Sequence, residues 1–262
     1  MGGPVWPVES LGQNDPGSVR QENQSMLKKT LVGLFTLVLC ALGVAYWCYS
    51  DVVFRAAVNE KVVALTFDDG PNPPYTAALL DMLTRYNVPA TFFMKGKNVE
   101  AFPNDVLAVA NAGHEIGNHS YYHKPMLAFS AAAYVEEITR TNRALADILG
   151  QPPRLFRPPY GAQGIGLTLA LQELGMDSIS MNAIGYDWEL TDPEAIAAAI
   201  LDNIEPGAII LLHDGHADVD DPHAQNSRAA TVFAAQLVIE TLQSQGFHFV
   251  SISELLASHP TP

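Results

Sequence analysis

Apolar and polar positions divide the chain into three regimes. Residues 1–29 mix Gly, Pro, Gln, Ser and Asn with few apolar positions, the composition of a short disordered tail. Residues 30–50, TLVGLFTLVLCALGVAYWCYS, form 21 uncharged and mostly apolar positions. As a helix that length crosses a hydrocarbon core of about 30 Å. Residues 51–60 read as a linker. From Lys61 onward, short β-rich apolar runs alternate with longer stretches of helical period. The runs cover 62–67, 90–96, 114–120, 154–161, 176–182, 208–214 and 247–253, which makes seven strand candidates. Helices are expected at 74–86, 105–112, 131–149, 166–174, 193–203 and 228–245, with Pro74 and Pro193 at starts and Gly113, Gly150, Gly175 and Gly246 after ends.

Strands that alternate with helices imply a parallel sheet, and seven such units predict an α/β fold over residues 61–258. The expectation is an incomplete (β/α)7 TIM-like barrel preceded by a single transmembrane helix. An open doubly wound sheet is the structural alternative. The first strand runs into DDGP rather than a glycine-rich GxGxxG turn, which counts against a nucleotide-binding fold.

Charge orients the apolar segment. Lys28 and Lys29 precede it, and Tyr46, Trp47 and Tyr49 close it, as expected for an amino terminus inside the cell and a carboxy-terminal domain outside, anchored in the lipid bilayer through residues 30–50. The alternative is a cleaved signal peptide, for which Ala41-Leu42-Gly43 and Gly43-Val44-Ala45 offer small-x-small sites. Either way the domain is exported. Both cysteines, Cys40 and Cys48, lie in this segment, so the exported domain has no disulfide to form. The three acidic residues before residue 51 cancel the three basic ones, so the rest of the chain carries the whole net charge of −14. Such a surface repels phosphate backbones and excludes nucleic acid as a partner. Oligomeric state is not readable from the sequence.

The unusual polar residues gather at the carboxy-terminal ends of the expected strands, which converge on one mouth in a barrel. Asp68-Asp69, His119 with His123, Arg157, Asp187-Trp188 and His213 all fall there. Adjacent carboxylates repel one another unless one binds a cation, which leaves the other free as a base. A lone Asp ahead of Gly70-Pro71 would read as a turn residue; the pair in this position does not. His119 and His123 are spaced i, i+4 and share one face if the segment turns helically. Together with Asp69 they make a two-His, one-carboxylate set that suits Zn²⁺ or a similar divalent ion such as Co²⁺ acting as a Lewis acid.

The ordered segments TFDDGP (66–71), HSYYH (119–123), RPPYG (157–161), DW (187–188) and LLHD (211–214) resemble the five motifs of carbohydrate esterase family 4, the NodB-homology polysaccharide deacetylases, over residues 61–256. The resemblance implies that Asp69, His119 and His123 bind the metal and that Asp68, oriented by Arg157, deprotonates the attacking water. It implies that the Tyr160 backbone N–H stabilises the oxyanion and that His213, paired with Asp187, protonates the leaving amine. Trp188 and Leu211 would shape the acetyl pocket, with Pro158 and Tyr160 also against substrate. The substrate implied is an extracytoplasmic polysaccharide: peptidoglycan N-acetylglucosamine or N-acetylmuramic acid first, then chitin oligosaccharides or acetyl xylan, with a silent glycan-binding module as the non-enzymatic rival. The fourth motif departs from the frequent Asp-x-x-Asp-Trp, because its first position is Ile184. Substrate preference is what this change affects.

His114, His216, His223, His248 and His259 carry no expected role, and His216 and His223 read as flanks of a solvated acidic loop. Met94, Met126, Met176 and Met181 read as core filler, as does Phe92-Phe93. Lys95 and Lys97 read as either solvated or glycan-facing.

Overall fold

The computed structural model describes residues 2–3, 16–127, 130–217 and 227–258. His223 and His259 lie outside them. Two compact units are present, Met1–Trp47 and Cys48–Pro262.

The first unit is built on α1 (Pro16–Tyr49), a helix of 34 residues whose last two belong to the second. Its stretch Ser25–Tyr49 is long and apolar enough to cross a membrane, with mean hydropathy 2.2. The helix begins well before Thr30, inside the region expected to lack structure. Once a helix is nucleated, each added residue gains a hydrogen bond, and Arg20, Gln21, Glu22, Gln24, Met26, Leu27, Lys28 and Lys29 all have good intrinsic propensity. Pro16, with its fixed φ, suits the first turn.

The second unit is built on a parallel sheet with β1 (Val62–Asp68) at its centre. On one side β1 pairs with β2 (Thr91–Met94), followed by β3 (Glu115–Asn118), β4 (Leu155–Phe156) and β5 (Asp177–Ser178). On the other it pairs with β7 (Ile209–His213), which holds β6 (Ala183–Ile184), while β8 (His248–Val250) joins the start of β1. The helices are α2 (Tyr75–Tyr86), α3 (Gly96–Ala101), α4 (Pro103–Asn111), α5 (Ala132–Leu149), α6 (Ile165–Leu174), α7 (Pro193–Leu201), α8 (Ala229–Ser244) and α9 (Ile252–Ser258). No helix separates β5 from β6, and these neighbours in sequence end the pairing path on opposite sides. The barrel is therefore incomplete, as the seven-unit pattern predicts.

The differences from expectation are local. Strand β6 is an eighth strand, too short at two residues to show alternation. The run 247–253 turns into α9 at Ile252, and α3 fills part of the interval before α4. Residues 51–60 do not hang free: Val53 bridges Ile179, Arg55 bridges Ala208, and the Ala56 N–H donates to Gly207 O. At Gly207, with φ of 82°, a Cβ would meet Ala56 O at 2.1 Å, so only glycine admits the strap.

Alternation along the strands separates two apolar layers. Val63, Leu65 and Phe67 of β1 and Ile210 and Leu212 of β7 pack outward against the helices. Ala64 and Ile209 turn inward with Phe93, Leu155 and Ile179. By the same period of two, Thr66, Asp68, Leu211 and His213 face the interior. The polar residues that end these strands are thus aimed into the mouth by the pattern that builds the core.

Candidate metal centre and catalytic site

Parallel register aligns the strand ends. Asp68 stands opposite His213 across β1 and β7, and Asn118 opposite both Met94 and Phe156. The ladder then continues one residue into each loop: the Asp69 N–H donates to Phe93 O, the His119 N–H to Met94 O, and the Arg157 N–H to Asn118 O. The five motifs therefore open onto one cavity of about 530 Å³, lined by Asp68, Asp69, His119, His123, Pro158 and Tyr160 on one side and Ile184, Trp188, Leu211 and His213 on the other.

Asp69, His119 and His123 are buried, and their donor atoms lie within 4.8 Å of one another. The ring nitrogens converge on the carboxylate, with His123 Nε2 3.5 Å and His119 Nε2 3.7 Å from Asp69 Oδ1. His119 Nδ1 lies 2.8 Å from Arg157 O; a carbonyl only accepts, so Nδ1 carries the proton and Nε2 offers its lone pair. Burial holds both imidazoles below their ordinary value, and the neighbouring His123 adds to this for His119, which favours the neutral form a metal would need. Burial pushes the Asp69 carboxyl up, but His123 and His119, with His213 and Lys95, bring it below its usual value. Neither Asp69 Oδ1 nor Oδ2 has a hydrogen-bond partner among the described residues. An ionised carboxylate left so would cost several kcal/mol. A divalent cation bound by these three residues removes that cost, and the donor set fits one.

The two histidines are not on a helix. Ser120 and His123 adopt positive φ, 61° and 56°, in a loop after β3, and this turn brings the ring centroids to 4.8 Å. Asn118 fixes the loop by accepting from the Ser120 N–H at 2.7 Å, and Glu137 Oε2 accepts from the Tyr121 N–H at 3.0 Å. Asn98 holds the first motif through Asp69 O and Pro71 O.

Beside this triad, Arg157 Nη1 donates to Asp68 Oδ1 and Thr66 Oγ1, both at 2.7 Å. Arg157 is fully buried, with its guanidinium 4.1 Å from the Phe93 ring centroid. Phe93, expected as plain core, is thus also the floor of Arg157. Asp68 Oδ2 lies 3.7 Å from His119 Nε2. One oxygen of Asp68 is anchored and the other turned to the triad.

Across the cavity, His213 Nδ1 donates to Asp187 Oδ1 at 2.7 Å, and the His213 N–H donates to Asp187 Oδ2 at 2.9 Å. Burial lowers the His213 pKa, but the touching Asp187 carboxylate more than offsets this, and the net shift is upward. Burial raises Asp187, and His213 and Arg228 reverse it, so Asp187 stays below the usual carboxylate range. Trp188 is half exposed and meets the His213 ring edge-on at 5.3 Å, while Leu211 is buried beneath. Tyr160 sits at φ 58°, with its ring against His123.

Several residues at the site carried no signal in the sequence. Met181, which packs against the inner core, also lines the cavity, and so does His216. Lys95 is buried and donates to His216 O, so neither solvent nor glycan takes its ammonium. Arg228 and Thr231, at the start of α8, contact Asp187. Their i, i+3 spacing was the only available hint, and it gains meaning only once α8 packs beside β7. His114 has an ordinary role, accepting from the Ala90 N–H.

Comparison with known proteins agrees with this geometry. Residues 55–179 match the family model described as polysaccharide deacetylase. A peptidoglycan-N-acetylglucosamine deacetylase of Bacillus cereus is 36% identical over 207 residues, covering 78% of this chain and 92% of that one. A chitooligosaccharide deacetylase of Azorhizobium caulinodans is 36% identical over 199 residues, covering 74% and 93%. The structure of a family 4 acetyl xylan esterase from Clostridium thermocellum, in complex with a cobalt ion, superposes with a TM-score of 0.68 at 35% identity, over 77% of this chain and 93% of that one. The chain belongs to the polysaccharide deacetylases of carbohydrate esterase family 4.

Proposed function

We propose that this hydrolase removes acetyl groups from N-acetylglucosamine or N-acetylmuramic acid units of peptidoglycan, on the outer side of a membrane that residues 30–50 anchor it to. The observation that carries the reading is the pairing of opposite acid–base groups across one cavity: an Arg157-held carboxylate beside a three-ligand metal site, and an Asp187-held imidazole facing it. Asp69, His119 and His123 would hold a Zn²⁺ or Co²⁺ ion, which would supply Lewis acidity at this end of the cavity. Asp68 accepts the proton of the attacking water on Oδ2, since Oδ1 is engaged by Arg157. The Tyr160 N–H donates to the oxyanion, a contribution typically worth about 3–4 kcal/mol. His213, protonated through Asp187, delivers its proton to the leaving amine, which departs poorly otherwise. Trp188, Leu211 and Pro158 enclose the acetyl methyl and exclude water.

Relatives of nearly equal identity are named for peptidoglycan, chitooligosaccharide and acetyl xylan, so identity does not select the polymer. The apolar helix favours a substrate reachable from a membrane surface. The test is mass spectrometry of wall glycans from cells with and without the protein. Muropeptides lighter by one acetyl group, only when Asp69 is intact, are the expected result. Unchanged muropeptides alongside acetate release from chitooligosaccharides or acetyl xylan by the purified chain would overturn the polymer assignment.

A further inference from the structure

Asp187 is held from a direction that the five motifs do not supply. Arg228, only 4% exposed, precedes α8 and spreads its guanidinium over three neutral acceptors. Nη1 donates to the backbone oxygen of Asp187 at 2.9 Å, Nε donates to Gly215 O at 2.6 Å, and Nη2 lies 3.2 Å from His216 Nδ1. The guanidinium is always a donor, so His216 Nδ1 accepts and the ring stays neutral. The guanidinium stops short of the carboxylate, with Nη1 3.8 Å from Asp187 Oδ2. The close contacts on that carboxylate go instead to the acid and to Thr231: Oδ1 to His213 Nδ1, and Oδ2 to the His213 N–H and to Thr231 Oγ1 at 2.8 Å. A buried arginine normally takes a carboxylate in a two-pronged grip. Here the fork ties the backbone on both sides of the acid, Asp187 on one strand end and Gly215 on the other, and supplies positive charge without competing for the oxygens that grip the imidazole.

We propose that Arg228, with Thr231, is the positioning residue of the general acid, fixing Asp187 and the 213–215 turn so that His213 is presented to the leaving group. The inference rests on the acid role assigned above to His213. A general acid matters to the degree that the leaving group needs a proton. An amine needs one; 4-nitrophenolate, a stable anion, leaves without it. Loss of the positioning residue therefore separates amide from activated-ester hydrolysis, whereas general damage to the fold or metal site lowers both.

The experiment measures kcat and KM of the full chain in detergent with Zn²⁺, on a fully acetylated chitooligosaccharide and on 4-nitrophenyl acetate. The variants are Arg228→Gln, Arg228→Lys, Thr231→Val and, as the reference for the acid itself, His213→Ala. Arg228→Gln is expected to lower amide kcat about 10²-fold at unchanged KM, with the ester rate and the Zn²⁺-induced rise in Tm kept. Arg228→Lys keeps charge but not the fork and falls between; Thr231→Val shifts the ratio the same way by less. Amide and ester rates that fall together in Arg228→Gln, or that both stay at wild type while His213→Ala loses the amide alone, overturn the proposal. If Arg228→Gln does not fold, an unchanged ratio in Thr231→Val overturns it. Equal losses in His213→Ala overturn the acid role beneath it.

Discussion

Replacing Arg157 by methionine tests whether the fold carries an electrostatic cost at the site that one cation offsets. The guanidinium donates to Thr66 Oγ1 and Asp68 Oδ1 at 2.7 Å and to Ser180 O and Ile179 O at 3.2 and 3.4 Å. Methionine has similar length and keeps contact with the Phe93 ring, so the cavity left is small. What changes is Asp68, 2% exposed, whose other near neighbour His119 is neutral in the metal-free chain. Removing one member of a buried ion pair costs about 3–5 kcal/mol, because the remaining charge is left without compensation. For a domain of this size 1 kcal/mol moves Tm by roughly 2–4 °C, so a fall of about 10 °C is expected. The measurement is urea unfolding of the chelator-treated protein, followed by tryptophan fluorescence. The double variant Asp68→Asn/Arg157→Met should regain most of the loss, since no unpaired charge remains. A single-variant loss below about 1 kcal/mol, or a double variant no better than the single, refutes the unpaired Asp68 carboxylate as the source of the cost.

Three further outcomes follow from the same site. Zn²⁺ added to the chelated chain at about 100 times its Kd should stabilise it by about 2.7 kcal/mol, read as a rise in Tm, and Asp69→Asn should abolish the rise; a full rise in that variant would remove Asp69 from the ligand set. Asp187→Asn should move the alkaline fall of kcat to lower pH. His213 is raised by Asp187, so its proton survives above the ordinary imidazole value and is lost as pH rises through the raised one; without the carboxylate, burial pulls it down. The Asp187 carboxyl is depressed, so its share of stability is present above about 3.9 and lost as pH falls below its folded value, while the share from His213 is full below about 6.5. The stability difference between wild type and Asp187→Asn should therefore be largest between those limits in a series of thermal melts, and a pH-independent difference would contradict the pairing.

How much was legible depended on where each residue stands in the chain. Asp68 and His213 close continuous apolar runs, and Asp69 and Arg157 directly follow such runs, so their place at strand ends was readable from the sequence and their convergence followed from the barrel. Strand β6 and the 51–60 strap were not legible, because two residues or a single bridge carry no period, and the strap takes its pairing from segments more than a hundred residues away. Arg228, Thr231 and His216 were hidden for another reason. Each sits where a surface residue would be ordinary, and each acquires its role only when α8 docks beside β7, burying Arg228 and Thr231 and setting the guanidinium against His216. The first support of a site is written in strand ends; the second is written in packing.

The backbone shows what the site demands of the fold. Among the described residues six non-glycine positions have positive φ, and five of them, Asp69, Ser120, His123, Tyr160 and Tyr186, lie in the loops that carry the motifs. The sixth, Asn87, caps a helix, where that conformation is common. Left-handed backbone costs a residue with a Cβ about 1–3 kcal/mol, and glycine would avoid it. Glycine would also delete the carboxylate at 69, the imidazole at 123, and the exposed rings at 160 and 186. In three of these turns side chains hold the strained backbone: Asn98 on Asp69 O, Asn118 on the Ser120 N–H, and Ser120 Oγ on the His123 N–H. Amides and hydroxyls just behind the mouth thus hold its backbone, which is why Asp69, His119 and His123 can converge on irregular loops rather than on a helix face.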